Sequence, residues 1–214
     1  FYLGSQGEIN YSLLFYTVIG TLLSSTGSSV MNNVIESETD KLMDRTKSRV
    51  LPTNKIWFIS AKVLGVSFIF IGLFILYYKV NLLTCILSLS TIVLYLFFYT
   101  PIKRKSWLNT SIGAVPGAIP PLGGWTAATN NLEWGGIAVF LILFFWQHPH
   151  FYAIAYMYKE DYKKAGLQML PVIDDGVKKT VLHIFLHALI LIPISTLPFF
   201  LGVSGRVYFV GAYI

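Results

Sequence analysis

Residues 11–49 read YSLLFYTVIGTLLSSTGSSVMNNVIESETDKLMDRTKSR, and the change of character at Asn32 decides how the chain folds. Residues 11–31 carry no charged side chain. About 20 mostly apolar residues suffice for a helix to cross a hydrocarbon core, and backbone amides in lipid must be paired within their own segment. The run is therefore read as a membrane-crossing helix. From Asn32 onward the chain turns polar, with Asn32, Glu36 and Asp40 at i, i+4 and i+8. On a helix these three oxygen-bearing side chains fall within about 80° of one another and form one stripe at the lipid boundary.

The rest of the sequence agrees with a lipid solvent. Of its 214 residues, 55% are hydrophobic and only 12% charged, against about 25% charged in soluble domains; the mean hydropathy is +0.63. Six runs meet the length needed for a span: 11–31, 56–78, 82–100, 107–128, 134–157 and 180–201. A seventh begins near Val207. These segments are too long for barrel strands, so the fold class is all-α, a multi-pass transmembrane helical bundle. The chain opens on Phe1 and stops at Ile214 within an apolar stretch, so residues 1–214 are read as one transmembrane domain truncated at both ends. Cys85 stands alone in an apolar run, which excludes a disulfide framework and a cysteine metal site.

The net charge of +6 does not point to nucleic acid, because the basic residues sit in short loops between apolar runs. Connections 33–55, 101–106 and 158–179 hold 5, 3 and 5 Lys/Arg, 13 of the chain's 16. With six alternating spans all three lie on one face, the cytoplasmic or matrix side. Eight of the ten acidic residues share that face. Topology accounts for the bases but not for the acids among them, so chemistry is expected there.

Hard oxygen ligands with open coordination positions suit Mg²⁺, which takes part of its shell from substrate phosphates. Asn32, Glu36 and Asp40 are the candidate ligands, and Arg45, Lys47 and Arg49 follow closely enough to hold phosphate oxygens. The bland alternative is a salt-bridged helix end. On the same face, Glu160 and Asp161 in YKEDYKK (158–164) offer a second metal position, and Lys103 and Arg104 a secondary diphosphate contact. His148 and His150, beside Gln147, lie inside an apolar run and suggest a polar pocket; His183 and His187 at i, i+4 read better as structural. Residues 107–128 hold Pro116, Pro120, Pro121 and four glycines, a composition tolerated in a membrane helix that packs closely or lines a cavity.

These residues resemble a known family. NNVIESETDKLMDRTKSRVLP (32–52) is similar to the first aspartate-rich motif of the UbiA prenyltransferase superfamily, in the form N-x-x-x-[DE]-x-x-x-D-x-x-M-x-R-T-x-x-R of its protohaem IX farnesyltransferases, the haem O synthases. YTPIKRKSWLNTSIGAVPGAIPPLGGWTAAT (99–129), WQHPHFYAIAYMYKEDYKKAG (146–166) and MLPV (169–172) extend the resemblance over nearly the whole chain. Two departures stand out: Glu160-Asp161-Tyr162 occupies the place of a second D-x-x-x-D motif, and Val50 stands where many members have proline.

The resemblance implies a bundle of about nine spans, of which six or seven are present, and transfer of a farnesyl group from farnesyl diphosphate to haem b, giving haem O. It implies Mg²⁺ held by Asn32, Glu36 and Asp40 with Asp161 or Glu160 opposite. Asn33, Arg45, Lys47, Arg49, Lys103 and Arg104 would face the diphosphate, and His148, His150 and Tyr152 would hold the porphyrin or manage water. The implied setting is the bacterial inner membrane, or the mitochondrial one, with haem A synthase or terminal-oxidase assembly factors as downstream partners. The alternatives are a UbiA-type enzyme acting on a quinone precursor and, in a different class, a membrane transporter. A transporter should gather its ionisable groups at mid-membrane, whereas here the acids gather at one surface.

Overall fold

A computed structural model describes residues 1–212, and among them there is helix but no strand. The first helix, α1 (Tyr11–Asp40), runs 30 residues without a break. At 1.5 Å per residue it is roughly 45 Å long, against a hydrocarbon core of about 30 Å. Its last turns, from Asn32 on, therefore stand beyond the apolar slab while staying helical. Asn10 caps the start, its side chain accepting from Leu13 N at 3.0 Å.

Helix α2 (Phe58–Ile75) passes into a π turn, Leu76–Val80. Helix α3 (Leu82–Val93) passes into a second π turn, Leu94–Tyr99, and then a short helix, α4 (Thr100–Ile102). There follow α5 (Asn109–Thr129), α6 (Trp134–Met157), two short helices α7 (Lys159–Lys164) and α8 (Leu170–Ile173), the long α9 (Lys178–Phe200), and α10 (Arg206–Gly211). The seventh expected span begins within α10, and its last residues, 213 and 214, lie outside the described residues.

Five of these helical stretches are long and apolar enough to cross a membrane: Tyr11–Asp40, Phe58–Val80, Leu82–Ile102, Trp134–Met157 and Lys178–Phe200. The expected span 107–128 is the 21-residue helix α5, whose Gly, Pro, Ser and Thr content keeps it out of that group. The reason is its place in the bundle. Helix α5 runs against α1, α3 and α6 and buries ten of its own residues, so its solvent is protein rather than lipid. By contrast α9 turns Val181, Phe185, Leu189 and Ile192 outward, which suits a face in lipid.

Helices α1 and α2 approach closely because small residues face one another. A side chain at Gly27 would come within 2.5 Å of the Gly65 carbonyl oxygen. Such small-residue contacts are how helices associate in lipid, where burying apolar surface gains little. At the charged end the loops are tied to one another. Gln168 N donates to Lys103 O at 2.7 Å, and Asn109 Nδ2 donates to both Ser106 O and Gln168 O. A small core of Met43, Ala155, Ala165, Leu167 and Met169 closes that end.

Candidate active site at the charged end of the bundle

Helix α1 stops at Asp40 because the following turn is captured. The Thr46 hydroxyl donates to the Asp40 carbonyl at 3.0 Å, and Lys41 N–H bonds back to Ser37 O. Met43 then drops into the small core at 5% exposure. The segment carrying Arg45, Lys47 and Arg49 is thereby folded back over the end of its own helix. Met43 and Thr46, conspicuous in the sequence without an assigned role, are the anchors of that turn.

The stripe faces a column of side chains on the α3–α4 segment, where Tyr95, Tyr99 and Lys103 recur every four residues. Asn32 Nδ2 donates to Thr100 Oγ1 at 2.9 Å, and Thr100 Oγ1 donates to Tyr95 O at 2.8 Å. Because the Thr100 proton is committed to a carbonyl, Thr100 accepts from Asn32, and this fixes the amide with its oxygen free to accept elsewhere. One turn on, Lys103 Nζ donates to both Glu36 oxygens at 2.9 and 3.0 Å and lies 4.5 Å from the centre of the Tyr99 ring. Arg104 reaches the Thr39 hydroxyl. Arg49 Nη1 spans Asp40 Oδ2 at 2.9 Å and Asn33 Oδ1 at 3.2 Å. The Tyr99 ring lies where a side chain at Gly113 would stand, so glycine there lets this wall close.

Between the two columns opens a cavity of about 760 Å³, lined by Asn32, Asn33, Glu36, Asp40, Arg45, Arg49, Tyr95, Tyr99 and Lys103. Seven of these are residues that the sequence singles out. Tyr95 and Tyr99 are additions, legible only as an i, i+4 pair leading to Lys103. The Asp40 side chain is 2% exposed, and the Lys103–Glu36 pair only 13% and 15%. Charges so poorly hydrated persist only when paired.

Other expected site residues lie elsewhere. Asp161 is outside the cavity lining; its Oδ2 accepts from Arg45 N at 3.1 Å and so steadies the turn beneath the Arg45 side chain. Glu160 is exposed at the start of α7. Lys47 pairs with Asp44, which Lys164 also holds at 2.9 Å. Hydrogen bonds from Lys47 and then Lys164 pull the Asp44 carboxyl down to about 2, while Asp44 in turn raises Lys164.

The histidines divide. His148 is 1% exposed, with Nδ1 against Phe144 O at 2.8 Å and Nε2 against Ser111 Oγ at 3.1 Å. A carbonyl can only accept, so Nδ1 carries the proton and Nε2 accepts from Ser111. The His187 ring stacks on His148 at 4.0 Å, and Tyr152 is fully buried between His148 and His183. His150 is exposed and stacks on Trp146 at 4.8 Å. None of these lines the charged cavity.

The donor set fits a hard divalent cation. The Asn32 amide oxygen and the Glu36 and Asp40 carboxylates open on one cavity, and each carboxylate bonded to one cation keeps unused lone pairs. No three His, Cys, Asp or Glu side chains among the described residues close into a metal cage. A cation here would draw part of its shell from a ligand.

Fold and site together define a multi-pass helical membrane protein with an anion-receptive, acid-lined cavity at one surface. The chain belongs to the UbiA prenyltransferase family, whose sequence profile matches residues 1–214. It is 45% identical over 205 residues to the protohaem IX farnesyltransferase of Solibacter usitatus, a match covering 96% of this chain and 70% of that protein. To the protohaem IX farnesyltransferase of Aquifex aeolicus it is 40% identical over 217 residues, 100% and 73% of the two chains. Among solved structures, that of a digeranylgeranylglyceryl phosphate synthase superposes with a TM-score of 0.82 at 19% identity, covering 99% of this chain and 74% of the other. An apo UbiA homologue from Aeropyrum pernix gives 0.78 at 18%, with 99% and 78% covered. At those identities the structures speak for the fold alone.

Proposed function

We propose that this chain transfers a farnesyl group from farnesyl diphosphate to a vinyl group of haem b, forming haem O, in a bacterial inner membrane. One observation carries the chemistry: the acidic stripe of α1 and the cations Arg45, Arg49 and Lys103 open on the same cavity. Relatives called protohaem IX farnesyltransferase, at 35–45% identity over most of the chain, support the substrates.

Asn32, Glu36 and Asp40 would hold Mg²⁺, which when bound supplies a Lewis acid to the diphosphate oxygens. The chain's own cations do the rest of the charge work. Arg49 and Lys103, held in place by Asp40 and Glu36, turn to diphosphate oxygens as negative charge builds on the leaving group. The bond between farnesyl C1 and the bridging oxygen breaks with its electron pair leaving on the diphosphate. The vinyl π electrons then form the new C–C bond to C1. Water adds to the carbon left electron-poor and loses a proton, giving the hydroxyethylfarnesyl chain. Tyr95 and Tyr99 present aromatic faces beside the site, and the surrounding helices limit early access of water to the allylic cation.

The test is product analysis. Membranes carrying the protein, given farnesyl diphosphate, Mg²⁺ and haem b, should yield haem O and free diphosphate. With 4-hydroxybenzoate in place of haem there should be no prenylated product. Prenylation of the benzoate without haem O would replace this reading by the quinone-precursor one. Chelation with EDTA should stop turnover and added Mg²⁺ restore it; unchanged turnover under EDTA would remove the metal from the scheme.

A further inference from the structure

A second cavity, of about 180 Å³, runs from the charged one into the bundle between α1, α3 and α5, and the two share Ser29 and Tyr95 in their linings. Many of its wall residues are Ser or Thr; several of their hydroxyls are taken by carbonyls of their own helix, Ser24 and Ser88 pair across helices at 3.0 Å, and the buried Ser28 hydroxyl has no partner among the described residues. Ser24 donates to Thr21 O, Ser25 to Leu22 O and Thr91 to Leu87 O. The lining is nonetheless mainly apolar, with Leu87, Ile92, Ile119 and Pro120 completing the walls.

The far end is closed by packed, hydrogen-bonded residues. Leu76, wholly buried, fills the space against Gly20, and Thr84 and Thr126 join hydroxyls at 2.9 Å. From Ser29 at the mouth to Thr21 is eight residues of helix, roughly 12 Å. That is comparable to an extended chain of three isoprene units.

One wall position has no packing reason for being glycine. In α5, a Cβ at Gly113, Gly117 or Gly124 would meet a neighbour within 3.0 Å. At Gly123, which lines this cavity, it would meet nothing within 4 Å. We infer that Gly123, which shares this cavity's lining with Thr21, sets the length of the isoprenoid chain the enzyme accepts, because the missing side chain leaves room for the terminal unit. The inference rests on the isoprenoid diphosphate substrate proposed above.

The experiment compares kcat/KM for geranyl and farnesyl diphosphates, with haem b as acceptor, in the protein and in its Gly123→Leu variant. A leucine filling the space of the last isoprene unit should lower the farnesyl-to-geranyl ratio about tenfold or more, mostly through KM for farnesyl diphosphate. Thr21→Leu, on α1, should shift the ratio the same way and decides the matter if the first variant fails to fold. An unchanged ratio, or an equal loss with both donors, overturns the assignment. If the unsubstituted protein transfers neither chain to haem, the proposed function fails instead, and this outcome is separate because it appears before any substitution is made.

Discussion

Two polar regions lie in this apolar bundle, and they use their polar groups differently. At the charged end, Glu36 and Asp40 are each met by one cation, Lys103 and Arg49, and all four open on a large cavity. In the histidine cluster of α6 and α9, both ring nitrogens of His148 are engaged, and His187 Nδ1 lies 2.7 Å from His183 O. The first arrangement keeps lone pairs and exchangeable cations facing a space that a ligand can enter. The second directs the hydrogen bonds of His148 and His187 to protein partners, with the buried Tyr152 hydroxyl beside them left without one among the described residues. Polarity in a membrane protein marks function, and the sharper criterion is whether the polar groups are left facing a space.

The largest effect should follow from Asp40→Ala, which removes a carboxylate from the stripe and the partner of Arg49. Turnover should fall by roughly 10²–10³-fold or more, the range for losing a group that stabilises developing charge. Membrane insertion should persist, because it depends on the apolar spans. Rates of haem O formation, compared at equal amounts of inserted protein, make the measurement. A wild-type rate would break the comparison, reducing the charged end to a capped helix.

Lys103→Met comes next and separates the site's two roles. It leaves Glu36 with an uncompensated, poorly hydrated charge, a change that costs about 3–5 kcal/mol for a buried pair and less at the 13–15% exposure seen here. Adding Glu36→Gln should recover most of that stability, since no lone charge then remains, while turnover stays depressed. Thermal unfolding and kcat measured on both variants decide it. Activity returning together with stability would mean the pair is only a brace.

How much of this was legible beforehand follows the same division. Spans and the α1 stripe could be read because helical periodicity and lipid thickness act locally, so Asn32, Glu36 and Asp40 meet one cavity as their spacing implies. Contacts made across the bundle left little local trace. Nothing near Asp161 says that its carboxylate holds Arg45 N, 116 residues earlier. The pairing of Lys103 with Glu36 depends on the register between α1 and α4. Helix α5 was anticipated as a span, but its composition shows why a hydropathy argument is weakest there: a helix surrounded by protein need not be apolar.

A smaller effect is expected at Thr46. Its hydroxyl caps the Asp40 carbonyl at 3.0 Å in a site 1% exposed to solvent. Thr46→Val keeps the shape and loses this hydrogen bond, at a cost of about 0.5–1.5 kcal/mol, since the Asp40 carbonyl still accepts from Met43 N at 3.4 Å. Because the Arg45–Arg49 turn hangs from this bond, KM for farnesyl diphosphate should rise more than kcat falls. Equal KM values for variant and parent would show that Met43 alone anchors the turn.

The smallest effect should come from His150, and the contrast with His148 makes it informative. The two lie two residues apart on α6, so they face different sides of the helix. His148→Ala empties a 1%-exposed position and strands the Ser111 hydroxyl, so it should destabilise by about 2–4 kcal/mol. His150→Ala removes an exposed ring stacked on Trp146, away from the charged cavity, and should stay within about 0.5 kcal/mol of the parent. Haem titration of the His150→Ala variant should give the parent affinity, and haem O formation the parent rate. A weakened haem affinity at unchanged stability would move the porphyrin to the outer face of α6. The charged cavity would then hold only the isoprenoid diphosphate, and the vinyl group would have to reach farnesyl C1 past Phe151, which lines that cavity from α6.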